Sequence, residues 1–183
     1  LHISESEKFP HVTFFLNGQR DAVQEREVHI KIDSRSDIAT HDEAPEMKAK
    51  EIVDAALSGL WANDFVVVNF PNADVVGHTG NIPAILKAVE TVDQECKRLV
   101  EGILALGGVA LVTADHGNAE VTMDEITGAK HTAHTTNPVP FIVAGAGEVR
   151  LRSGGTLADI APTVLDLFGL QESPKMKGKS LIM

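Results

Sequence analysis

Two short stretches place an acid and an imidazole at spacings suited to holding a metal ion. "NADVVGHTG" carries Asp74 and His78, and "LVTADHGNAE" carries the adjacent pair Asp115 and His116, where a run of small and apolar residues stops. A third stretch, "KHTAHTTNPVP", brings His131 and His134. Carboxylate oxygen and neutral imidazole nitrogen are the usual donors to Zn, Mn and similar divalent ions, and the absence of Cys ligands argues against a structural thiolate site. Five candidates, Asp74, His78, Asp115, His116 and His134, exceed what one catalytic ion takes from protein. Two ions are the economical reading. Ions roughly 3.5 to 4 Å apart stabilise both the attacking and the leaving oxygen of an in-line displacement, which is what phosphoryl transfer requires.

The elements around these residues alternate. "HVTFFLNG" (11–18) reads as a short β-rich run closed by Asn-Gly, and "EVHIKID" sets Val28, Ile30 and Ile32 on one face, as in a half-exposed strand near a sheet edge. "PEMKAKEIVDAALSGLWAN" has the apolar spacing of an amphipathic helix, with Pro45 just before it. "FVVVNF" (65–70) has the continuous apolar run of a strand covered on both faces. A long helical stripe follows from Ile82 to Leu104, ended by Gly107-Gly108; then come strands at "VALVT" and "PFIVAG" and a last helix in "TLADIAPTVLDLFGL". This order predicts an α/β domain, a mostly parallel sheet flanked by helices. In such sheets functional groups gather beyond the carboxyl ends of the strands. The three Asp- and His-bearing segments are therefore expected as loops at one rim of one sheet.

Composition narrows the partners. The chain has 183 residues, 43% of them hydrophobic, enough for one substantial core. A formal net charge of -10 argues against nucleic acid or an anionic membrane as the main partner, while a few local cations still permit a small anionic substrate. The single cysteine, Cys96, excludes an internal disulfide, and no segment approaches the roughly 20 apolar residues of a membrane span. With no signal peptide at "LHISESEKFPH", the expectation is a cytoplasmic protein. Taken alone, Lys8 reads as a solvated lysine, Cys96 as a small core residue and Trp61 as a hydrophobic cap at a helix end.

The segments "SESEKFPHVTFFLNG", "NFPNADVVGHTG", "GGVALVTADHGNAE", "HTAHTTNPVPFIV" and "LADIAPTVLDLFGL" together resemble the C-terminal part of the cofactor-independent phosphoglycerate mutases, members of the alkaline phosphatase superfamily. The similarity runs over essentially the whole chain, with the motifs in order. It implies an alkaline phosphatase-like fold, here a partial domain spanning 1–183, and interconversion of 3-phosphoglycerate and 2-phosphoglycerate through a phosphoserine, with two ions, typically manganese. By motif, Asp74, His78 and His134 would bind one ion, and Asp115 and His116 the other. Lys8 would approach the phosphoryl group as a catalytic cation. His134 is chosen over His131 because it adjoins "TTNPVP".

The same resemblance implies pieces that these residues do not contain: a nucleophilic serine, another metal-binding aspartate and an inserted domain that grips the substrate. The expectation is an isomerase as a longer, monomeric protein acting on phosphoglycerate, with 1–183 inactive alone. "LNGQR" departs from the family pattern, with Gln19 where a second glycine is usual, so the turn there is in question. Two other readings stay open: a different phosphatase or phosphomutase of the same superfamily, and a non-catalytic protein that acts by binding.

Overall fold

Strands β1 (His2–Glu5), β2 (His29–Ile32) and β3 (Val67–Val68) form a parallel sheet in the order β2-β1-β3 in the computed structural model, which describes residues 1–183. His2 lies beside His29 on one side and Val67 on the other. The central strand is one that hydrophobic patterning does not reveal. Ile3 is its only large apolar residue, yet Ser4 and Glu5 are also buried. Their polar atoms are satisfied: the Ser4 hydroxyl donates to the Asn69 carbonyl at 3.3 Å, and Glu5 Oε2 accepts the Lys48 N–H at 3.1 Å. Burial still raises the Glu5 carboxyl above its usual pKa, despite that N–H. β2 sits at the edge, as its alternation suggested.

Two strand expectations are corrected. "HVTFFLNG" does not extend; it contributes to a one-turn helix α1 (Phe9–Val12) followed by turns. Pro10 suits the first helical turn, the Thr13 hydroxyl donates back to the Phe9 carbonyl at 2.8 Å, and the Phe15 N–H reaches the Pro10 carbonyl at 3.0 Å. The turn closes with Gly18 and Gln19 both left-handed, at φ 64° and 62°. "FVVVNF" yields only the two-residue β3, which pairs on one side and leaves Phe65 exposed, because β3 is an edge strand.

Helix α2 (Ala49–Gly59) packs against the long helix that follows α3 (Asn72–Gly77), namely α4 (Ile82–Ala105). Ile3, Ile52, Val53, Ala56 and Leu99 make the core between sheet and helices, and Val76, Ile85 and Ala88 make a second one between α3 and α4. The apolar stripe of α4 is wider than its cover: Leu86, Val89 and Leu104 are exposed, and Cys96 is half-buried. Trp61 caps nothing. It stands 84% exposed in a 3-10 turn after α2.

Strands β4 (Ala110–Thr113) and β5 (Phe141–Ala144) pair antiparallel in a sheet of their own, with Ala110 opposite Ala144 and Thr113 opposite Phe141. The single rim expected from the sequence is therefore two sheet ends. The reason is the connection: a parallel partner needs a crossover, usually helical, and the segment between β4 and β5 has no helix. Helix α5 (Ile160–Leu167) follows a 3-10 turn at Leu157–Asp159. Asp159 accepts the backbone N–H groups of Thr156 and Lys179 at 2.7 and 2.8 Å, tying the C-terminal tail to this turn. The architecture is α/β, a small parallel sheet with helices.

Candidate metal centre

The first Asp-His stretch is helical rather than a loop. Pro71 starts α3, and the Asn72 amide anchors it by donating to the Pro45 and Glu46 carbonyls at 2.9 and 2.8 Å. Asp74 lies in the first turn and His78 at the C-cap, so their spacing of four puts both on one face.

Asp74 is the hub. Its Oδ2 meets Lys8 Nζ at 2.5 Å, while Oδ1 faces His134 Nε2 at 2.9 Å, His78 Nε2 at 3.2 Å and the Asn118 amide at 3.0 Å. Burial pushes the Asp74 carboxyl up, but the Lys8 ammonium and the Asn118 amide outweigh it and hold its pKa below the usual carboxylate range. The two imidazoles converge as well, with His78 Nε2 and His134 Nε2 3.2 Å apart. His78 Nδ1 donates to the Thr132 carbonyl at 2.6 Å, which fixes the tautomer and leaves Nε2 a lone pair toward the carboxylate.

That donor set fits a divalent ion. Two nitrogens and a carboxylate oxygen lie within 4.8 Å of one another, and their separations of 2.9, 3.2 and 3.2 Å are slightly below the about 3.3 Å expected between atoms each about 2.0 to 2.1 Å from a tetrahedral ion, so a small outward movement would admit one.

The second pair is looser. His116 Nε2 is 3.6 Å from Asp115 Oδ2 and 3.8 Å from Asp74 Oδ1, and its ring stacks on His134 with centroids 3.7 Å apart. The Asp115 side chain is half exposed. Both line a cavity of about 670 Å³ shared with Thr135, Asn137 and Arg152. Asp74, His78, His134 and His116 thus come together, whereas Asp115 touches only His116 among them.

Backbone contacts put His134 in place. Gly117 and Thr135 form a β-bridge, and the Thr135 N–H donates to the Gly117 carbonyl at 2.8 Å. Glu120 clamps the same join, accepting from the Thr135 hydroxyl, from the Asn137 amide at 3.0 Å and from the Asn118 N–H at 2.7 Å. A Cβ at Gly117 would collide with Thr135 Oγ1 and Glu120 Oε1, so a side chain there would displace the two groups that make this join. His131 takes no part; its Nδ1 meets the Val121 carbonyl at 3.2 Å.

Sequence reasoning missed two neighbours. Asn118, buried, is one; the "DHGNAE" run held it in plain view, but an amide carries no metal-ligand signal. His11 is the other, one helical turn beyond Lys8. Burial lowers its pKa, as do the charges of Lys8 and His116, while Asp115 and Asp74 act in the opposite direction, so it lies within the field of the site. Its Nδ1 is buried without a hydrogen-bond partner.

The model of the metalloenzyme superfamily matches residues 1–172. The chain belongs to the metalloenzyme superfamily. Within it, the chain is 53% identical over 190 residues to the 2,3-bisphosphoglycerate-independent phosphoglycerate mutase of Chloroflexus aurantiacus, covering all of this chain and 35% of that protein. It is 49% identical over 183 residues to the enzyme of that name from Paracoccus denitrificans, covering 36% of it. A crystal structure of Leishmania mexicana phosphoglycerate mutase at low cobalt concentration superposes with a TM-score of 0.88 at 33% identity, over 100% of this chain and 36% of that one. This superfamily member therefore spans about a third of the length of the relatives it matches. No helix is long and apolar enough to cross a membrane.

Proposed function

We propose that this chain supplies Lys8 and the ion-holding side chains of a site that interconverts 3-phosphoglycerate and 2-phosphoglycerate. The observation that carries the reading is the hub at Asp74, where one carboxylate holds a lysine through one oxygen and faces three imidazoles through the other. The relatives that match the whole chain are phosphoglycerate mutases, which supports the choice of substrate.

In this reading Asp74, His78 and His134 hold one divalent ion, and Asp115 and His116 contribute to a second. Manganese is the ion we assign to both. Such ions, when bound, offset charge on the phosphoryl oxygens and on the attacking and leaving oxygens. Lys8, fixed by Asp74, presents a cation to the same oxygens without having to reorganise as charge develops. The Thr132 carbonyl and the Asn118 amide orient His78 and Asp74. The cavity beside Asp115 and His116 gives the phosphorylated substrate and the serine that carries the phosphoryl group a place to meet; that serine comes from the remaining length of the mutase. The whole protein acts as a cytoplasmic monomer, and residues 1–183 alone are inactive.

The test compares His134→Ala with His131→Ala in the protein that carries this chain, following 3-phosphoglycerate by ³¹P NMR with Mn²⁺ present. His134→Ala abolishes formation of 2-phosphoglycerate and His131→Ala retains it. Near-normal turnover by His134→Ala overturns the ligand assignment. Release of inorganic phosphate without 2-phosphoglycerate in the unmodified protein overturns the mutase reading in favour of a phosphatase.

A further inference from the structure

A second convergence of donors lies at the opposite end of β1 from Lys8. His2 and His29 are register partners on adjacent parallel strands, and Glu27 sits two residues before His29, on the same side. Glu27 Oε1 is 2.7 Å from His29 Nε2 and 3.5 Å from His2 Nε2, and the three side chains are only 7%, 18% and 15% exposed respectively. We propose that His2, Glu27 and His29 form a further divalent-cation site, separate from the phosphoryl-transfer centre and selective for a nitrogen-preferring ion such as Zn²⁺.

The convergence of donor atoms carries the argument: one from each side chain, all within 4.8 Å of one another. His2 Nδ1 is hydrogen-bonded to the Val12 carbonyl, which can only accept, so the proton resides on Nδ1. That leaves Nε2 as the ring nitrogen facing the Glu27 carboxylate, the atom through which a neutral His2 would ligate a cation held between them. A carbonyl behind one histidine nitrogen is also the usual support for a metal-bound imidazole. Glu27 is braced in turn: the Asn17 amide donates to Oε1 and Oε2 at 2.9 and 3.1 Å, and the Gln24 N–H donates to Oε2 at 2.6 Å.

Two imidazoles with one carboxylate suit Zn²⁺, Co²⁺ or Ni²⁺ better than Mg²⁺ or Ca²⁺, and leave one tetrahedral position for water. His29 also lines a cavity of about 250 Å³ with Arg20 and Asp21, through which water or an ion can arrive. A bound ion would join β1, β2 and the turn at Asn17, and through Val12 the end of α1.

The experiment is a Zn²⁺ titration of the whole protein carrying ¹⁵N-labelled histidine, read by imidazole NMR, which distinguishes these rings from His78, His116 and His134. Stoichiometric Zn²⁺ should shift His2 Nε2 and His29 Nε2 into the metal-bound range, and His29→Gln should weaken the event at His2 at least about tenfold while leaving the response of His78 and His134 unchanged. If His2 and His29 respond to pH alone and remain unmoved by millimolar Zn²⁺, the cluster is a proton-bridged ion pair and the proposal fails. The wild-type spectrum decides this even where the variant does not fold.

Discussion

Gly77→Ala tests whether Asn118 sets the affinity of the Asp74 cluster for metal. Gly77 ends α3 immediately before His78, and a Cβ there would lie 2.3 Å from Asn118 Oδ1 and 2.8 Å from its Cγ. Relieving that contact to ordinary van der Waals separation requires a movement of about 1 Å, and the Asn118 amide now donates to Asp74 Oδ1 at 3.0 Å. Such overpacking costs about 1–3 kcal/mol, partly offset by about 1 kcal/mol from the better helix propensity of alanine. Loss of a hydrogen bond that orients a ligand lowers metal affinity about 10- to 100-fold, or about 1.4–2.7 kcal/mol. The assay is Co²⁺ titration followed by visible absorption, in wild type, Gly77→Ala, Asn118→Ala and the double variant. Because Asn118→Ala removes both the obstacle and the donor, the double variant should bind no more weakly than Asn118→Ala alone. Affinity within about twofold of wild type in Gly77→Ala, or strictly additive losses in the cycle, refutes the reasoning.

Two further outcomes concern stability. Gln19 holds φ 62°, a left-handed conformation that costs a side-chain-bearing residue about 1–2 kcal/mol, so Gln19→Gly should raise stability by about 0.5–1 kcal/mol after the entropy of glycine is counted; an unchanged or lower urea midpoint contradicts this. The Asp159 carboxyl is held at about 2, chiefly by the Lys179 and Thr156 N–H groups, against 3.8 when unfolded. Its contribution is therefore complete above about pH 4 and is lost as pH falls through 2. The excess urea midpoint of wild type over Asp159→Asn should shrink between pH 5 and pH 2, and an excess that does not change with pH rules this out.

How much was legible follows from what kind of signal each element carries. Helices α2 and α4 and strands β4 and β5 announce themselves by apolar period, and the structure has them close to where the pattern put them. The centre of the sheet was hidden because β1 buries Ser4 and Glu5, polar residues whose partners come from Asn69 and Lys48, far along the chain. "HVTFF" looks like a strand by composition, but Pro10 and the Thr13 hydroxyl favour a turn, a local effect that periodicity does not weigh. The Asp and His residues were legible by type, and the spacing of Asp74 and His78 held the helical geometry that the loop reading overlooked. Which histidine of the pair 131 and 134 faces Asp74 depends on the Gly117–Thr135 bridge, a tertiary contact. The His2–Glu27–His29 group was invisible for the same reason, since parallel pairing of β1 with β2 is what makes His2 and His29 neighbours.

These two groups are linked through a single strand. β1 rises about 3.3 Å per residue, so His2 at its start and Glu5 at its end are separated by about 10 Å, and the chain turns directly from Glu5 to Lys8. The position of Lys8 against Asp74 therefore depends on the placement of β1, which is held by the carbonyl and N–H ladders to β2 and β3 and, at its first residue, by His2. The Val12 carbonyl that receives His2 Nδ1 belongs to α1, the helix for which Lys8 is the N-cap. An ion at His2, Glu27 and His29 would thus restrain both ends of the segment from 2 to 12 that presents Lys8. It would do so without contacting the phosphoryl group, so its effect on turnover should come through the order of that segment rather than through charge at the reacting atoms.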